Sequence, residues 1–166
     1  MAAIHPAFED FVAALPPIGS LIGLDLGSKT IGLAISDPAR MVASPIETVM
    51  RKKFTPDATR MLEVAASRKC VGILLGLPVN MDGSEGPRVQ STRAFARSLA
   101  GITDLPIGFW DERLSTAAVE RMLISFDASR KRRDEVVDKL AAAYILQGAL
   151  DRLAAMRRAA QSALDT

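Results

Sequence analysis

The stretch Leu21-Ile22-Gly23-Leu24-Asp25-Leu26-Gly27-Ser28-Lys29-Thr30-Ile31-Gly32-Leu33-Ala34-Ile35-Ser36 decides the fold. Two short apolar runs, 21–26 and 31–36, flank Gly27-Ser28-Lys29-Thr30. This pattern reads as two β-strands joined by a hairpin turn that starts on glycine. Asp25 interrupts the first run. An ionised carboxylate inside an apolar strand costs several kcal/mol unless a cation or dense hydrogen bonding compensates it. Alternation places Leu21, Gly23 and Asp25 on one face and Ile22, Leu24 and Leu26 on the other. Gly23 leaves room beside Asp25 for a close ligand. A buried arginine or loop amides would satisfy the same carboxylate, and the pattern alone leaves both readings open.

Outward from this hairpin, 42–49 reads as a third strand, placed at an edge by Pro45. Ala58, Met61, Leu62 and Ala65 give helical spacing within 56–68, and Val71 to Leu77 is a nearly continuous apolar strand, as in a sheet covered on both faces. A loop rich in Gly, Asn, Asp and Pro spans 78–87, followed by a helix over 88–99 and a strand over 107–112. Ser115 is placed to cap the next helix, and a basic loop near 127–133 leads into a long final helix, roughly Asp134 to Ala163. The order β-β-β-α-β-α-β-α-α predicts an α/β domain: a mixed five-stranded sheet with helices on both faces. Residues 1–19 read as an N-terminal appendage. Phe8, Phe11, Val12 and Leu15 follow helical spacing there, Pro16-Pro17 ends it, and packing against the domain or a partner is the expected use.

Composition narrows the chemistry. The chain of 166 residues is 49% hydrophobic, enough for one well-buried core, and no window approaches a membrane span. One cysteine, Cys70, excludes an internal disulfide and a cysteine-rich zinc site. One histidine, His5, falls in the expected tail and argues against histidine-based catalysis. No lysine or arginine precedes Lys29, so the start lacks the charge of a signal peptide, and the composition suits a reducing cytoplasm. The net charge is only +2, yet basic residues cluster at Arg51-Lys52-Lys53, Arg130-Lys131-Arg132-Arg133 and Arg157-Arg158. Such clusters bind nucleic acid or are simply solvated.

Two further places put acids against apolar pattern. Asp111-Glu112 closes a strand, where ligands gather in α/β sheets. Alternation sends these two acids to opposite faces, so one of them can share a site with Asp25, and the pattern does not say which. Asp138 has Ala141 and Ala142 as its helical neighbours and borders an apolar face with little bulk, whereas Asp134 and Glu135 suit the first turn of a helix. No local spacing makes a calcium loop. Convergence of Asp25, one of the Asp111-Glu112 pair and Asp138 would form an all-oxygen site for Mg2+ or Mn2+, the kind that hydrolyses phosphodiesters.

Four segments together carry a family resemblance: Leu24-Asp25-Leu26-Gly27-Ser28-Lys29-Thr30-Ile31-Gly32, Gly76-Leu77-Pro78-Val79-Asn80-Met81-Asp82-Gly83-Ser84, Asp111-Glu112-Arg113-Leu114-Ser115-Thr116 and Asp138-Lys139-Leu140-Ala141-Ala142. In this order they resemble the YqgF family of Holliday junction resolvase-like proteins, also described as pre-16S rRNA nucleases. The resemblance covers about Leu21 to Leu153 and leaves the first twenty residues outside. It implies an RNase H-like domain over residues 20–163, with Asp25, Glu112 and Asp138 as the catalytic and metal-binding acids, and it prefers Glu112 over Asp111. It also implies a role in maturing the 5′ end of 16S rRNA in the cytoplasm, as a monomer or weak homodimer.

The other motif residues acquire expected roles in holding substrate. Lys29 and the amides of Gly27 and Ser28 are candidates for a phosphate. Asn80, Asp82 and Arg88 bracket a loop that can close over the bound strand, although Asp82-Gly83 is also ordinary turn chemistry. Arg113 can grip a phosphate in two-pronged fashion or pair with Asp111. Arg132, within the 130–133 cluster, can track a nucleic-acid backbone. Phe109 and Trp110 read as core rather than base-stacking platforms. The competing functions are a resolvase of branched DNA, which should work as a dimer, and a non-catalytic RNA-binding or transcription-associated module. A nucleotide-binding fold of the actin type would need a second lobe that this chain lacks.

Overall fold

The computed structural model describes the backbone of residues 1–114 and 130–165 and the side chains of 1–114 and 139–165. The two apolar runs form β2 (Ser20–Leu26) and β3 (Thr30–Ser36), preceded by β1 (Ile4–His5) and α1 (Phe8–Ala13). Then follow β4 (Ala43–Met50), α2 (Phe54–Ser67), β5 (Cys70–Leu77), α3 (Pro87–Ala100), β6 (Ile107–Asp111), a 3-10 turn (Glu112–Leu114) and the long α4 (Arg130–Leu164). The helix expected to open at Ser115 lies outside the described residues.

The sheet has six strands in the order β1-β6-β5-β2-β3-β4, not five. The hairpin is antiparallel, with Asp25 opposite Gly32 and Leu26 opposite Ile31, and β4 continues the meander to the edge. β5 pairs in parallel with β2, and β6 in parallel with β5, so the carboxyl ends of β2, β5 and β6 lie at one end of the sheet. The sixth strand is β1, which pairs Ile4 with Ile107 and His5 with Gly108 along the edge of β6. Two residues are too few for alternation to register in a sequence, and the pairing with Gly108 puts His5 in the sheet rather than in a tail.

Alternation sorts the core into two layers. Ile22, Leu24 and Leu26, with Ile73, Leu75 and Leu77, pack against Ala58 and Met61 of α2 and Phe95 and Leu99 of α3. Leu21, Leu74 and Trp110 pack on the other face against Phe11 and against Ala142, Ile145, Leu146 and Ala149 of α4. Each fully buried leucine or isoleucine contributes ~1.5–3 kcal/mol of transfer free energy. Phe109 and Trp110 are 6% and 5% exposed, in the core as expected.

The N-terminal segment belongs to the second layer. The Phe11 ring is fully buried over Gly72 and Gly108, at distances that leave no room for a side chain at Gly108. The chain leading into β2 is fixed by Arg40, 3% exposed, whose Nε donates to the Gly19 carbonyl and whose Nη2 donates to the Pro16 carbonyl, both at 2.7 Å. Among the described residues no helix is long and apolar enough to cross a membrane.

Candidate active site

The structure brings Asp25 and Glu112 together. Asp25 is half-buried on the α4 face of β2, the face that carries Leu21 and Gly23. Gly32 lies opposite on β3, and the Leu24–Leu75 register sets Gly76 beside Asp25 on β5. A side chain on β2 and one from the end of β6 stand two strands apart, on the order of 10 Å at the backbone. They approach because the strand between them carries no side chain at this level. A Cβ at Gly76 would lie 3.3 Å from Cδ of Glu112 and 2.5 Å from Cδ1 of Ile145.

The choice between Asp111 and Glu112 follows from the pleat. Phe109 joins the layer of α2 and α3, Trp110 the layer of α4, so Asp111 continues the first face and the residue after it returns to the second. Asp111 is held by Arg113 through Nη2 to Oδ2 at 2.6 Å and Nε to both oxygens at 3.0 Å, and it caps the Arg113 amide at 2.9 Å. That pairing holds the Asp111 carboxyl below its usual range. Glu112 behaves in the opposite way. Burial, then the nearby charge of Asp25, push its carboxyl up to about 7, against a weaker pull downward from Arg88.

Asp138 and Arg132 lie in α4, but their side chains fall outside the described residues. The helix itself is oriented by residues further along. Arg157 Nη1 donates to the Ala39 carbonyl at 3.3 Å at the far end of the sheet, and Leu146 and the Ala142 carbonyl cover Gly23. From these contacts α4 runs back along β2 toward the Asp25 end.

The expected substrate residues divide. Lys29 and Ser28 are exposed at the hairpin turn, and Arg88 is exposed in the first turn of α3. The Gly27 amide donates to the Thr30 carbonyl at 2.9 Å, so it closes the turn rather than facing a phosphate. Asn80 and Asp82 are engaged within their own loop: Asn80 Nδ2 donates to Ser84 Oγ at 3.0 Å, and Asp82 Oδ1 accepts from the Ser84 amide and hydroxyl at 2.9 and 2.6 Å. Arg113 is committed to Asp111. In the sequence Arg51 reads only as the start of a basic run; the β3–β4 pairing of Thr30 with Met50 delivers it to the hairpin turn.

Among the described residues no group of three or more His, Cys, Asp or Glu is placed to hold a metal ion. The pair that is described nevertheless has the right donor chemistry. Among the described residues, two half-buried carboxylates converge without a histidine or thiol, and burial, then the charge of Asp25, makes Glu112 resist ionisation. A hard divalent cation relieves that conflict.

The chain is similar to known proteins over most of its length. The family model described as "RuvX: Holliday junction resolvase" matches residues 19–152. A Ruegeria sp. (strain TM1040) protein named "Putative pre-16S rRNA nuclease" is 67% identical over 154 residues, covering 93% of this chain and 98% of the relative. A protein of the same name from Rhodopseudomonas palustris (strain BisA53) is 63% identical over 162 residues, covering 98% and 99%. Among solved structures, T. thermophilus RuvC in complex with a Holliday junction substrate superposes with a TM-score of 0.51 at 17% identity, over 81% of this chain and 96% of that one, and so shares the fold. The sheet order, the acid-bearing hairpin and these matches together place the chain in the RuvX family.

Proposed function

We propose that the chain is a divalent-metal-dependent endonuclease that hydrolyses phosphodiester bonds in precursor 16S rRNA, in maturation of its 5′ end in the cytoplasm. The observation that carries this reading is the meeting of Asp25 and Glu112 over Gly76 at the carboxyl ends of parallel strands. The name of the close relatives supplies the substrate class.

Asp25, Glu112 and Asp138 would hold Mg2+ or Mn2+. When bound, such an ion supplies Lewis-acid stabilisation of the phosphodiester and of the water that attacks it. The protein's own part is positional. The hairpin fixes Asp25 at the end of β2, the 3-10 turn after β6 aims Glu112 at it, and Arg88 favours the ionised form of Glu112. Lys29 and Arg88 attract the phosphate backbone, an interaction that weakens with salt and reads no sequence. Arg132 extends the same attraction along α4. The chain works as a monomer or weak homodimer, since a single cut in one RNA strand needs no two-fold partner.

A second reading, resolution of branched DNA, is favoured by the description of the matching family model. One experiment separates the two. The purified protein is incubated with precursor 16S RNA and with a four-way DNA junction, each with Mg2+ or Mn2+, beside an Asp25→Asn control. Metal-dependent cleavage of the RNA that disappears in the control is the expected result. Cleavage of the junction alone selects the resolvase. Binding of RNA without cleavage, unaffected by chelator or by Asp25→Asn, would replace the enzyme with a binding module.

A further inference from the structure

Three cations converge on a groove that, among the described residues, holds no carboxylate. The groove, of about 550 Å3, lies between the β2–β3 turn and the first turns of α3, and its lining includes Ser28, Lys29, Arg51, Arg88 and Ser91. Elsewhere near this end of the sheet arginine charge is already matched, Arg93 by Glu85 and Arg113 by Asp111. Lys29, Arg51 and Arg88 enter no salt bridge among the described residues. Cations gathered without acids leave a local positive field that an anion can neutralise.

Arg51 is the best-ordered of the three. Its amide donates to the Lys29 carbonyl at 2.9 Å, its Nη1 donates to the Gly27 carbonyl at 2.7 Å, and its guanidinium lies 5.9 Å from the centre of the Phe95 ring. A guanidinium has five N–H donors, and the bond to Gly27 uses one of them. The remaining fork is held ready, with little rotamer entropy left to lose when an oxyanion binds. Arg88 links the groove to the acids, since its charge is felt at Glu112.

We propose that this groove binds a backbone phosphate adjacent to the one being cut, on a single nucleic-acid strand, with Arg51, Lys29 and Arg88 supplying the charge. The assignment rests on the nuclease reading for which phosphate is cut, and it adds Arg51 as a phosphate-binding residue. The ligand chemistry is the phosphodiester itself, common to RNA and DNA.

The test reads binding without turnover. Anisotropy of a labelled single-stranded RNA, and of a DNA of the same sequence, is titrated in EDTA from about 50 to 200 mM KCl. Wild type is compared with Arg51→Met, Lys29→Met, Arg51→Lys and Arg68→Met, the last an exposed arginine at the end of α2. Arg51→Met and Lys29→Met should each flatten the slope of log K against log salt by about 0.7 on both probes, the value for one lost phosphate contact on a single strand. Arg51→Lys and Arg68→Met should keep the wild-type slope. An unchanged slope in Arg51→Met overturns the proposal. So does an equal loss in Arg51→Lys, because then turn geometry rather than charge has been removed. Flattening on RNA alone also overturns it, in favour of recognition of the 2′-hydroxyl. Cleavage by wild type, assayed separately with Mg2+, keeps the two readings distinct: cleavage with unchanged slopes removes the groove only, and flattened slopes without cleavage remove the nuclease only.

Discussion

Glu112 meets Asp25 across Gly76, both half-buried, and burial together with the Asp25 charge opposes ionisation of Glu112. The conflict has a measurable cost in the metal-free protein. The Glu112 carboxyl is raised from 4.5 to about 7 in the folded state, chiefly by burial and then by Asp25. Below the unfolded value both states hold the proton and nothing is lost. Between the unfolded and the folded value the folded state retains a proton that the unfolded chain has released, so stability falls as pH rises from 4.5 to about 7 and levels off above it. Glu112→Gln in EDTA should therefore gain on the order of 1–3 kcal/mol above pH 7, with the gain vanishing near pH 4.5. The same variant should lose cleavage and the thermal shift that wild type shows on adding Mg2+. Urea titrations at pH 4.5 and 8 check the first point, and an equal effect at both would show that the two acids are not coupled through charge.

Gly76 has a different importance from a glycine in a turn. A Cβ there meets the flexible end of Ile145 at 2.5 Å and Cδ of Glu112 at 3.3 Å. Ile145 can shift by rotation, whereas Glu112 must move away from Asp25. Gly76→Ala should lower the cleavage rate by about tenfold or more while costing only ~1–3 kcal/mol in stability. Initial rates on precursor RNA beside urea titrations test this. A variant that loses stability but cleaves at the wild-type rate would show that the acids do not depend on the gap.

Adjacent acids should give opposite results. Asp111 is paired with Arg113 at the surface, with both side chains about one-third exposed. Pairs of this kind contribute under ~1 kcal/mol. Asp111→Asn should leave the unfolding midpoint nearly unchanged and cleavage within a few-fold of wild type, while Glu112→Gln abolishes cleavage. Loss of activity in Asp111→Asn of the same size would reverse the assignment made from the pleat.

How far the sequence discloses this arrangement depends on the length of the pattern involved. The hairpin around Asp25 was legible because two six-residue apolar runs flank a four-residue turn and leave little else for the chain to do. The buried β5 and the helices α2 and α3 were legible for the same reason. Alternation also showed that only one of Asp111 and Glu112 can share the face of Asp25, but choosing between them required the phase of β6, which Phe109 and Trp110 set only once their layers are known. Non-local pairing was harder to see. β1 has two residues and borrows its register from β6, and Arg51 reaches the turn only because β4 returns beside β3. A basic run in a sequence carries no record of which strand it will lie against.

The residues before β2 contribute to the core. Phe11 is fully buried, with Cγ 2.4 Å from where a Cβ at Gly108 would stand and Cζ 3.1 Å from one at Gly72. Removing the ring leaves a cavity lined by two glycines, which cannot fill it. Phe11→Ala should therefore cost ~3–5 kcal/mol. Gly108→Ala should also destabilise, because the new methyl group must expel the ring. If the clash between the two is the cause, the effects will not add: in the Phe11→Ala background, Gly108→Ala should be nearly neutral or partly restorative, since its methyl then enters vacant space. Urea denaturation of the four proteins of this cycle gives the coupling directly. Additive losses would mean that Gly108 is required for β6 itself and not for the seat of Phe11.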